Sequence, residues 1–182
     1  MPNQTLLLRA ADSTLAIIDV QERLAAAMPA EARETVVRNC RILLAAAARL
    51  AVPVLVTEQY PKGLGATAAE LAGAIPLGAA RIEKTCFSCA GALDSSARQQ
   101  VVLAGMEAHV CVLQSALELR AAGRDVFVVE DACCSRNPQN HRNAMDRLRA
   151  AGVVAVNTES VLFEWLRDAR HEHFKALSAL VR

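Results

Sequence analysis

The sequence predicts an α/β protein in which one parallel sheet is covered by helices on both faces. Three observations predict it. Six short runs are almost continuously apolar and rich in Val, Leu and Ile, as strands buried on both sides are. Between them lie stretches with apolar residues at helical spacing, and Gly or Pro marks most of the junctions. Strands that alternate with helices in this way pair in parallel through right-handed crossovers. The 182 residues suit a single domain, 1–182, with no linker, low-complexity stretch or fixed-period repeat.

Residues 14–20 form the first strand, an apolar β-branched run that carries Asp19 at its end. Pro29 then leads into a long helix over 31–50, where Val36, Val37, Cys40, Leu43 and Leu44 recur at helical spacing. Residues 53–57 are the second strand, and 58–65, with a Pro and two Gly, read as an ordered loop. A weak helix over 67–72 precedes a short third strand, 80–84. A helix over 88–98 leads to the fourth strand, 100–105, and a helix over 108–122 is closed by Gly123 in the C′ position. The pattern repeats with a strand at 125–130, a helix at 138–151 ended by Gly152, a strand at 153–156, and helices at 160–169 and 171–182.

Composition excludes several classes. With 53% hydrophobic and 21% charged residues the chain can bury a core, and a net charge of +1 with mixed signs leaves no footprint for nucleic acid or an anionic membrane. Residues 1–11 contain one basic residue and an apolar stretch too short for a signal peptide or a membrane span, so a cytoplasmic location is expected. The six cysteines combine a lone helical residue, one C-x-x-C and one adjacent pair, which does not read as a disulfide framework. Aromatics are 3%, so Leu, Val, Ile and Ala must build the core.

Ligands of open parallel sheets bind beyond the carboxyl ends of the strands, where strand order reverses. Cys111 follows the fourth strand at the start of a helix, where free amides and the helix dipole favour a thiolate. From position alone it reads first as a small buried hydrophobe, like most free cysteines. Asp19 ends an apolar strand, where a carboxylate is costly unless paired or used, although such residues also cap helices and form turns. Lys84 alone reads as a surface charge. Together the three make a chemical unit: a proton acceptor, a cation and a nucleophile.

At these residues the chain resembles the isochorismatase-like cysteine hydrolases, which include nicotinamidases and N-carbamoylsarcosine amidase. The resemblance runs from about Thr14 to Ser160 and is carried by TEQYPKGLGAT, EKTCFSC, LAGMEAHVCVLQSALEL and VVEDACCSR, which look closest to the isochorismatase-domain-containing branch. It implies a three-layer α/β/α fold with six parallel strands in the order 3-2-1-4-5-6. It also implies a triad of Asp19, Lys84 and Cys111, a cis peptide between Met106 and Glu107, and an oxyanion hole from the backbone amides of Glu107 and Cys111. The implied chemistry is hydrolysis of a small amide, imide or ester through a Cys111 acyl-enzyme, with Asp19 as general base and acid and Lys84 as electrostatic stabiliser. Nicotinamidases hold a metal through an Asp and two His after the second strand. Residues 58–65 here contain neither, so no metal and no other cofactor is expected.

Glu58, Gln59 and Tyr60 are candidates for substrate contact or subunit packing, and His109 for lining the pocket. The Cys86–Cys89 pair and the Cys133–Cys134 pair read as packing rather than redox groups. The apolar helix over 108–122 suggests a homo-oligomer. Two other accounts remain open: a thiol redox or peroxide-responsive protein in which Cys86, Cys89 or Cys133 resolves an oxidised Cys111, and a non-catalytic oligomeric subunit on the same fold.

Overall fold

The computed structural model describes residues 7–93 and 98–182. Six strands form one parallel sheet in the order β3-β2-β1-β4-β5-β6. They are β1 (Ser13–Ile18), β2 (Val54–Gln59), β3 (Ala80–Lys84), β4 (Gln100–Met106), β5 (Asp125–Cys134) and β6 (Val154–Val156). The helices are α1 (Glu22–Ala26), α2 (Ala30–Arg49), α3 (Pro61–Leu64), α4 (Ala69–Ala72), α5 (Ala90–Leu93), α6 (Leu113–Ala121), α7 (Pro138–Ala150), α8 (Thr158–Leu166) and α9 (Phe174–Ser178).

Strand β1 shows why the sheet is buried on both sides. Its period of two sends Leu15 and Ile17 into one cluster, with Leu43 and Leu44 of α2, Phe127 of β5 and Trp165 of α8. Ala16 and Ile18 enter the other, with Val112, Leu119 of α6 and Leu148 of α7. The helix predicted over 108–122 belongs to this second cluster: Ala108, Val112, Leu113, Ala116 and Leu119 are all buried. Its apolar residues are therefore used inside the chain, and they are no argument for an oligomer.

Several elements depart from the sequence reading. Strand β5 runs on to Cys134, because its pairing with β4 slips register between Leu103 and Gly105 and then resumes, Gly105 opposite Cys133 and Met106 opposite Cys134. Glu130 and Asp131 looked like a strand end but lie within this irregularity, where Asp131 Oδ1 accepts from the amide and hydroxyl of Thr158 at the start of α8. The helix after β4 opens with a turn of π-helix, Ala108–Val112, before α6 begins. Its end follows expectation: Gly123, at φ 83°, lets Arg124 and its own amide bond back to Leu119 and Arg120.

The loop over 58–65 holds one helical turn, α3. Helix α8 starts two residues before the predicted 160, since Asn157 caps it through the amide of Ser160, and it ends at Arg167. The terminal helix over 171–182 is the shorter α9 followed by a 3-10 turn, Ala179–Val181. Of the helix predicted over 88–98, α5 is described and residues 94–97 lie outside the described residues.

Candidate active site

Strand order reverses between β1 and β4, and the reactive groups lie at the carboxyl ends of β1, β3 and β4 around that point. Asp19 follows β1 in the left-handed region (φ 52°) and is wholly buried. Its amide donates to the Thr57 carbonyl at 3.1 Å. Oδ1 accepts from the Thr57 hydroxyl at 2.7 Å, and Oδ2 accepts from Lys84 Nζ at 2.7 Å.

Lys84 ends β3 and is buried rather than the surface charge that it resembles alone. Besides Asp19, its ammonium donates to Gln59 Oε1 at 2.8 Å and to the Phe87 carbonyl at 2.9 Å, with the Cys86 carbonyl at 3.3 Å. An ammonium has three protons, and these acceptors use all of them.

Cys111 sits in the π-turn with 5% of its surface exposed, close enough to Asp19 and Lys84 for both to act on its thiol. Burial first, then the charge and hydrogen bond of Asp19, push its pKa up to about 12, with Lys84 pulling the other way. Burial and Asp19 thus work against the thiolate that a helix start favours, and Lys84 works for it. The peptide bond between Met106 and Glu107 is cis. The Glu107 carbonyl accepts from the amides of Val110 and Val112, on either side of Cys111, while its side chain is held by the amide and guanidinium of Arg136.

A cavity of about 660 Å³ reaches this group from the β3 side. Thr57, Tyr60, Ile82, Lys84, Cys89 and Ala92 are among its lining residues; Cys111 does not line it. Of the four pocket candidates, Tyr60 lines this cavity and Gln59 holds Lys84. Glu58 is turned to the amide and hydroxyl of Thr67, at 2.7 and 2.6 Å. His109 is held by Ser135 at 2.9 Å and Asn140 at 3.3 Å.

The structure adds groups that the sequence reading did not single out. Thr57 orients Asp19, and Gln21 braces Gln59 by accepting its amide at 2.7 Å and donating to its carbonyl at 3.1 Å. Their one signal in the sequence is a polar residue inside or beside an apolar run. All six cysteines are free thiols, Cys86 exposed and the rest buried. Among the described residues no group of three or more His, Cys, Asp or Glu side chains is arranged to hold a metal ion. No helix among them is long and apolar enough to cross a membrane.

A parallel sheet in this order, with a buried acid, lysine and thiol at its switch point, defines a hydrolase-type α/β protein. Residues 13–160 match the isochorismatase domain, and the chain belongs to that family. It is 39% identical over 145 residues to the mouse isochorismatase domain-containing protein 2A, spanning 77% of this chain and 69% of that one. Among solved structures it is similar to one described as MAR1 ribonuclease from Caenorhabditis elegans, with TM-score 0.91, 32% identity and coverage of 96% of this chain and 92% of the other. It is also similar to the YcaC gene product of Escherichia coli, described as an octameric hydrolase of unknown specificity, with TM-score 0.87, 25% identity and coverage of 97% and 89%.

Proposed function

We propose that the protein is a single-domain cysteine hydrolase that cleaves the C–N bond of a small amide or imide, or an ester, through an acyl-enzyme on Cys111. The observation that carries this reading is the buried Asp19, held by the Thr57 hydroxyl and the Lys84 ammonium and near enough to Cys111 to act on its thiol. Burial and the charge of Asp19 raise the Cys111 pKa and so favour the thiol over the thiolate. Attack therefore requires proton transfer to Asp19 as the C–S bond forms.

The amides of Glu107 and Cys111 receive the oxyanion of the tetrahedral intermediate. Asp19 returns the proton to the leaving nitrogen or oxygen, the bond to it breaks, and a thioester remains. Water then gives a proton to Asp19 as it attacks the thioester, the acid leaves, and the thiol is restored. Lys84, with its protons committed to protein acceptors, acts on Asp19 by its charge.

A small substrate fits a nucleophile that is 5% exposed. The description of the nematode structure raises RNA as another substrate, but a net charge of +1 and 3% aromatic residues favour a small molecule. The octameric E. coli relative supports a homo-oligomer.

The test is a panel of small amides, imides and esters, with intact-mass detection of an acyl adduct on Cys111 and an RNA of mixed sequence as a further arm. The expected result is turnover with an adduct that is absent in Cys111→Ala. Turnover that persists in Cys111→Ala, or cleavage of the RNA alone, sinks the reading.

A further inference from the structure

The edge of the sheet at β3 is self-complementary. The Lys84 carbonyl accepts from the Tyr60 amide at 2.8 Å, and β3 runs beside β2 in unbroken parallel register from Ala80 to Lys84. Alternate residues of a parallel strand turn their backbone groups toward the same neighbour. Ala80, Ile82 and Lys84 therefore face β2, and Arg81 and Glu83 turn their N–H and C=O outward along the edge. Both residues are exposed. Such an edge is a template for another strand.

We propose that a second copy of this chain occupies it, its own β3 running antiparallel about a two-fold axis through Ile82. This register sets Arg81 opposite Glu83 of the second copy, and Glu83 opposite its Arg81. Each pair exchanges both backbone hydrogen bonds and places opposite charges on one face. A two-fold contact must be complementary to itself. Like charges at 81 and 83 would make the edge repel its copy, whereas opposite charges placed evenly about Ile82 attract it.

The flanking residues follow the same axis. Leu77 and Phe87 each lie five residues from Ile82. Leu77 is 105% exposed and Phe87 51%, among the most exposed large apolar side chains described. The axis brings Leu77 of one copy toward Phe87 of the other at both ends of the charged centre. At the opposite edge β6 spans only three residues, Val154–Val156, a short edge of the kind that resists pairing.

The interface also bears on the cavity, because Ile82, Glu83 and Lys84 line it, and a strand laid along β3 adds a wall. The pairing itself does not rest on the hydrolytic reading.

Sedimentation velocity over a concentration series tests it in the full chain, with wild type, Arg81→Glu, Glu83→Arg and the double reversal. Wild type is expected to associate, as a dimer or a larger assembly built on it. Each single reversal creates two like-charge pairs and should weaken association on the order of tenfold; the double reversal restores opposite pairs and should restore association. Amide exchange in peptides covering 80–84 should be slow in wild type and the double variant and faster in the single ones. All substitutions are at exposed side chains, and circular dichroism checks the fold. A wild type that stays monomeric, an association indifferent to both single reversals, or a double reversal that fails to rescue overturns the proposal. Loss of hydrolysis on the amide panel with intact association would leave it standing and remove only the chemistry.

Discussion

Asp19 and Lys84 act on Cys111 in opposite senses, which makes the site testable one residue at a time. The charge and hydrogen bond of Asp19 raise the thiol pKa, and Lys84 lowers it. Replacing Asp19 by Asn removes the raising charge, so iodoacetamide labelling of Cys111 at pH 8 should accelerate, about tenfold for each unit that its pKa falls. Lys84→Met should slow labelling. It should also lower stability by about 3–5 kcal/mol, because it strands a buried carboxylate. Both substitutions should reduce kcat by roughly 10²–10⁴. Peptide mass spectrometry beside steady-state kinetics separates the two effects, and labelling that falls in both variants would contradict the arrangement. Asp19 was legible because a carboxylate at the end of an apolar run is costly unless used, whereas Lys84 and Cys111 gained meaning only together with it and through the family resemblance. Thr57 was not, since a threonine in a strand is an ordinary β-former until its hydroxyl is seen on Asp19. The effect of burial on Cys111 was not legible, because a helix start is visible in sequence whereas the depth of burial is not.

At the scale of elements, the contact between β1 and β4 sets the position of the site, and Gly105 is where it is tightest. Ile18 pairs with Gly105 one residue before Asp19, and Gly105 lies one residue before Met106. Its φ of 131° is strained for any residue with a side chain, and a Cβ there would lie 2.0 Å from the Ile18 carbonyl oxygen. Backbone is the obstacle, so no rotamer relieves it. Gly105→Ala should therefore separate β1 from β4, lower stability by more than about 3 kcal/mol and abolish turnover. A urea midpoint equal to wild type would show that the strands do not approach so closely. A glycine in an apolar run signals such an approach in general, but the strand that approaches is a tertiary fact. The same limit applies to β5, where Glu130 and Asp131 look like a strand end until Thr158 of α8 is found on the Asp131 carboxylate. Strand order was legible only through the family resemblance, because alternation alone predicts a parallel sheet without its sequence of neighbours.

For the whole molecule, the buried thiols couple folding to pH. Burial raises the pKa of Cys40, Cys89, Cys111, Cys133 and Cys134 above the ordinary value of 9.0, and for Cys111 and Cys134 to about 12. In the unfolded chain these groups lose their protons near pH 9; in the folded chain they keep them. Above pH 9 the native state thus holds more protons than the unfolded state, and stability must fall as pH rises. The contribution is complete below pH 9 and is lost progressively toward pH 12. Each thiol adds a slope of up to roughly 1.4 kcal/mol per pH unit. Several acting together would consume a typical domain stability of about 5–15 kcal/mol within two or three units. Under reducing conditions the urea midpoint should hold between pH 7 and 8.5 and drop steeply from 9 to 11. Cys40→Ala, which leaves the triad in place, should make the wild-type drop shallower even though it lowers the midpoint at neutral pH. A midpoint flat to pH 11 would mean that the native thiols ionise as readily as unfolded ones, and the proton transfer from Cys111 to Asp19 would lose its physical basis.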